Sequence, residues 1–79
     1  MSWSTLPPHI RDIAERELTK PQLEAWKLEL AGLSQRRIAY ALTISRGAVK
    51  DRIENAYLTL RKHGIDQDKF GNWTRKDAA

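Results

Sequence analysis

A chain of 79 residues builds one small domain, and 41% hydrophobic with 30% charged residues is a globular composition. The absence of cysteine removes disulfides and thiolate metal ligands, and no apolar run approaches the roughly 20 residues that cross a bilayer. The net charge of +4 is unevenly spread: residues 34–63 carry seven basic against two acidic side chains, while the flanking segments are close to balance. A basic block attracts polyanions, nucleic acid first; the plainer reading is a solvated helix face.

The opening MSWSTLPPH has neither the charged nor the apolar region of a signal peptide, so a cytoplasmic protein without membrane contact is expected. Residues 1–6 are expected to fray. Pro7-Pro8 then suits a first helical turn, and Ile10, Ile13, Ala14 and Leu18 share one face of a helix over about residues 8–17. The stretch Leu18 to Gln22 breaks and restarts the chain. Thr19 is an N-cap, Pro21 fits the first turn and Gln22 completes a capping box. The helix of residues 20–31 turns Leu23, Trp26, Leu30 and Leu33 inward, flanked by Ala25 and Leu28, and stops at Gly32 in a left-handed cap. Trp26 falls at core spacing and is read as structural.

Ser34 caps a short helix, residues 35–42, with Ile38, Ala39 and Leu42 buried. Gln35, Arg36 and Arg37 occupy its first turn, where cations oppose the helix dipole and an anion would relieve them. Thr43-Ile44 is a tight link with an apolar anchor. Ser45 caps a long helix, residues 46–63, whose inward stripe is Ala48, Val49, Ile53, Ala56 or Tyr57, and Leu60. Arg52 flanks that stripe and either pairs with Glu24 or Glu29 or touches phosphate. Arg61 and Lys62 sit where cations favour a helix C-terminus. Residues 64–79 read as a loosely ordered tail in which Ile65, Phe70 and Trp73 are free to dock. Trp3, Phe70 and Trp73, large aromatics in polar terminal segments, are candidates for a contact with a second copy or a partner protein.

The run from Leu18 to Ile53 resembles the helix-turn-helix shared by LuxR-type regulators and region 4 of sigma-70-like factors. The resemblance is carried by Leu18-Thr19, Gly32-Leu33-Ser34, Ile38-Ala39, Leu42, Ile44-Ser45 and Ala48-Val49-Lys50, without a gap, and covers about residues 18–60. It implies a tri-helical DNA-binding unit with a long recognition helix over 18–63; together with the N-terminal arm and extra helix over 1–17 and the tail over 64–79, the expected fold is an all-α, four-helix domain. The extra first helix and the tail depart from the LuxR-type pattern, which continues with a further dimerisation helix.

In such a unit the first helix crosses the phosphate backbone and the second lies in the major groove. Candidate base-reading residues are Arg46, Gly47, Lys50, Asp51 and Glu54. Arg46 and Lys50 suit guanine, Asp51 suits the cytosine amino group, and Gly47 permits close approach. Candidate phosphate contacts are Ser34, Gln35, Arg36, Arg37 and Ser45. His9 and His63 stand isolated, so no metal site is expected. No nucleophile–base arrangement or phosphate loop points to an enzyme, and no cofactor is implied. The resulting expectation is sequence-specific binding of double-stranded DNA by a small transcriptional regulator, acting as a homodimer or beside a partner protein. Two alternatives stay open: a module docking on RNA polymerase, and a protein marking DNA for recombination or packaging.

Overall fold

The computed structural model describes residues 3–67 and 73–75. Four helices account for most of them: α1 Pro8–Glu17, α2 Lys20–Leu30, α3 Gln35–Leu42 and α4 Arg46–Lys62. A single 3-10 turn at Trp3–Thr5 precedes them. Two short strands, β1 Ile65–Gln67 and β2 Trp73–Arg75, follow and pair antiparallel, with Gln67 opposite Trp73. The molecule is mostly helical, and no helix among the described residues is long and apolar enough to cross a membrane.

The helix boundaries follow from local chemistry. Pro7 and Pro8 pre-set the start of α1. At α2 the capping box is complete: Gln22 N–H donates to Thr19 Oγ1 at 3.3 Å, and Thr19 N–H donates to Gln22 Oε1 at 3.2 Å. Gly32, at φ 96°, ends α2 in the left-handed region, and Leu33 N–H returns to Leu28 O at 3.2 Å. The same closure ends α3, where Ile44 N–H donates to Ala39 O at 3.0 Å. There the left-handed residue is Thr43, at φ 57° and ψ 47°. A β-branched side chain is disfavoured in that region.

Two apolar clusters hold the helices together, and α2 reaches both. Ala25 belongs to the cluster of Ile38, Ala39, Val49 and Ile53, which fixes α3 against α4. Trp26, fully buried, belongs to the other, with Ile10, Ala14, Leu18, Ala56, Leu60 and Ile65. Tyr57 touches both clusters. Fully burying each large apolar side chain contributes about 1.5–3 kcal/mol.

Two expectations about the chain ends are corrected here. Residues 3–6 do not fray: Leu6 is 2% exposed and belongs to the core, because the 3-10 turn carries it under α1. The tail is not loose over 65–67 and 73–75. Ile65 is buried beside Leu60, and Trp73 stands edge-on to Trp26 with ring centroids 5.9 Å apart.

Candidate nucleic-acid interface

The link between α3 and α4 is three residues long: Thr43, Ile44 and Ser45. Ile44 packs against the Ile38–Val49 cluster, so the link is anchored from inside. Both helices begin on a serine cap. Ser34 Oγ accepts from Arg37 N–H at 3.3 Å, and Ser45 Oγ accepts from Ala48 N–H at 3.1 Å. Each hydroxyl spends an acceptor lone pair on its cap and keeps its O–H for donation outward.

The two helix starts open on one side of the molecule. Ser34, Gln35 and Arg36 line one concavity with Arg46, Gly47 and Lys50. The anchored link and the packing of α3 on α4 bring these two stretches together. A wider open groove beside it takes in Arg37, Tyr40 and Ser45. Neither α3 nor α4 has an acidic residue in its first turn. The positive ends of two helix dipoles therefore lie beside Arg36, Arg37 and Arg46 with no local counter-charge there, an arrangement that favours an anionic ligand.

No contact among the described residues explains Gly47. A Cβ added there would meet only Ser45 Oγ, at 3.9 Å, and its backbone is not left-handed. Lys50 Nζ lies 3.9 Å from Glu54 Oε1, with both side chains about 60% exposed. Such an exposed pair is worth well under about 1 kcal/mol, so Lys50 is readily released to a stronger anion.

The two concavities take in eight of the ten residues expected to face DNA. Asp51 is exposed but lines neither concavity. Glu54 borders a separate hollow with Tyr57, Leu58, Arg61 and Asp66, nearer the end of α4. Arg52, half-buried, makes no ion pair with Glu24 or Glu29 among the described residues. The carboxylate of Glu29 instead accepts a hydrogen bond from Tyr57 Oη at 2.9 Å. Burial pushes the Tyr57 hydroxyl up to about 12, and the neighbouring Glu29 carboxylate adds to the rise.

The aromatics expected at a contact with another chain have partners within this one. Trp3 and Trp73 each meet Trp26 edge-on, with centroids 5.9 Å apart, and Tyr57 does so at 6.1 Å. Lys27 Nζ sits 4.5 Å from the Trp3 ring centre, a cation–π contact. Trp3 and Trp73 are thus packed within the chain while each stays half-exposed; Phe70 lies outside the described residues.

One residue of the groove was not singled out from sequence. Tyr40 is 90% exposed and lines the groove with Arg36, Arg37, Ser45 and Arg46. Its signal was available: it stands four residues after Arg36 and three after Arg37, off the Ile38–Ala39–Leu42 stripe. A large aromatic on the polar side of a helix is the anomaly that marks it. Among the described residues, no group of three or more His, Asp or Glu side chains is placed to hold a metal. No protein-family model, curated protein or solved structure matches the chain.

Proposed function

We propose that the protein binds double-stranded DNA sequence-specifically, using α3 and α4 as a helix-turn-helix, and acts as a small transcriptional regulator with no catalytic role. The observation that carries this reading is the convergence of Ser34, Gln35 and Arg36 with Arg46, Gly47 and Lys50 on one concavity. In this arrangement the start of α4 enters the major groove. Arg46 and Lys50 donate to guanine O6 and N7, and Gly47 lets the backbone come close to the base edges. Lys50 gives up Glu54 to do so. The α3 start clamps a phosphate through the Ser34 hydroxyl, the free amides of Gln35 and Arg36, and the Arg36 and Arg37 guanidinium groups. Tyr40 covers the adjoining sugar and phosphate with its ring and hydroxyl. Such a protein works in the cytoplasm, at the nucleoid.

The test is fluorescence anisotropy on duplex DNA across a salt series, first on random sequence and then on sites selected from a pool. Neutralising four or five phosphates gives a log–log slope of about −4. Arg46→Ala and Lys50→Ala should each cost about 1–3 kcal/mol on the selected site and little on random DNA. Arg36→Ala should weaken both equally and lower the slope by about one. Absence of binding at low salt overturns the reading.

A further inference from the structure

We propose that the exposed back of α4 is a homodimer surface, on which a second copy of the chain packs antiparallel about a two-fold axis. The four residues that form it, Asp51, Asn55, Leu58 and Lys62, are all exposed and recur at spacings of four, three and four, one stripe of the helix. Leu58 and Tyr40 are the two exposed large hydrophobics of the described residues, and Tyr40 belongs to the groove already assigned to DNA. Leu58 is 48% exposed at the middle of this stripe.

The stripe is complementary to itself when reversed. Antiparallel pairing about a point between Ala56 and Tyr57 sets Asp51 of each copy against Lys62 of the other, and Asn55 against Leu58. Opposite charges meet at both ends, and the two Leu58 side chains, about 4.5 Å apart along the helix axis, meet diagonally across the two-fold between them, which is what a two-fold contact requires. Neither Asp51 nor Lys62 makes an ion pair among the described residues. Glu54, by contrast, is already engaged with Lys50. A parallel arrangement would set Asp51 against Asp51 and Lys62 against Lys62, so charge selects the antiparallel one. The surface is small, and the dimer is accordingly weak and concentration-dependent.

The geometry also serves the DNA reading, and this part of the inference rests on it. At about 100° per residue, Arg46 and Lys50 lie roughly a third of a turn around α4 from the stripe. The two-fold runs between the helices and perpendicular to both, so these flanks of the two copies face the same side. At about 1.5 Å per residue the two Arg46 positions fall about 32 Å apart. That is close to the spacing of about 34 Å between successive major grooves on one side of B-DNA.

Sedimentation equilibrium without DNA tests the dimer separately from the DNA reading. The full chain should show a monomer–dimer equilibrium below about 1 mM. Leu58→Glu, which keeps helix propensity at an exposed position, should weaken it by at least about tenfold with an unchanged circular-dichroism spectrum. Asp51→Lys alone and Lys62→Asp alone should each weaken it, and the double reversal should restore it. A monomer throughout that concentration range, or a dimer indifferent to Leu58→Glu and to the charge reversals, overturns the proposal and leaves the DNA reading standing. A dimer with this mutational signature and no DNA affinity supports the proposal and overturns the DNA reading instead.

Discussion

Gly47 separates what the fold needs from what the site needs. Glycine inside a helix costs about 1 kcal/mol relative to alanine, because its backbone loses more freedom on folding. Nothing among the described residues repays that cost: the position is exposed, right-handed and open to a Cβ. Gly47→Ala should therefore raise unfolding stability by about 0.5–1 kcal/mol in urea titrations. On DNA the same methyl group would stand between the start of α4 and the base edges, so affinity for a selected site should fall several-fold. Gain of stability without loss of affinity would remove Gly47 from the interface. Tyr40 poses the mirror-image case. Its exposed ring contributes little to the core, yet it borders the groove of Arg36, Arg37 and Arg46. Both residues look wrong by the standards of helix stability, and that is where a binding surface leaves its trace.

At the scale of elements, the helices were legible because each carries its own boundary chemistry. Thr19 with Gln22, Ser34 and Ser45 form the caps their residue types announce, and Gly32 takes the left-handed turn that glycine favours. The link between α3 and α4 was legible in length but not in conformation. Thr43 carries the same left-handed closure as Gly32, on a residue whose branched side chain argues against it. Tertiary packing accompanies it: directly after the left-handed residue, Ile44 turns inward to the Ile38–Val49 cluster. Thr43→Asn, which tolerates this region better, is expected to stabilise the fold by about 1 kcal/mol. A thermal or urea midpoint that falls would show that the Thr43 side chain contributes more than its strain costs. The strand pair was illegible for a different reason. Three-residue strands offer no usable periodicity, and their pairing is set by contacts between distant residues. The candidate site was read in its two halves, Ser34–Arg37 and Arg46–Lys50, because both sit at capped helix starts. Which residues of α4 share that concavity depended on how α4 is rotated against α3, so Asp51 and Glu54 were grouped with it on sequence grounds alone.

At the scale of the whole molecule, Trp26 joins the ends of the chain to its centre. Trp3 from the first turn, Trp73 from the last strand and Tyr57 from α4 all stand edge-on to its ring. Edge-on aromatic pairs add about 0.5–1.5 kcal/mol beyond the area they bury. Trp73→Ala should lower stability by about 2 kcal/mol, less than a fully buried tryptophan because Trp73 is half-buried. It should leave the salt slope of DNA binding unchanged, since the cluster lies apart from the basic concavity; a changed slope would bring the tail into the interface. Tyr57 gives this cluster a pH signature. Its hydroxyl donates to Glu29 at 2.9 Å and titrates at about 12 in the fold, against 10.0 for an unperturbed tyrosine. Between those values the folded chain holds a proton that the unfolded chain has lost, so stability falls as pH rises. The contribution is complete below pH 10 and disappears as pH passes through about 12. Tyr57→Phe should cost about 1 kcal/mol at neutral pH, the loss of one half-exposed hydrogen bond to a carboxylate. Above pH 10 the difference between the two proteins should narrow, close and then reverse, because burial penalises the Tyr57 phenolate while phenylalanine has no proton to lose. Parallel urea titrations of both proteins from pH 8 to about 12 read this directly. A gap that stays constant across that range would mean that the Tyr57 hydroxyl is not coupled to folding through its proton.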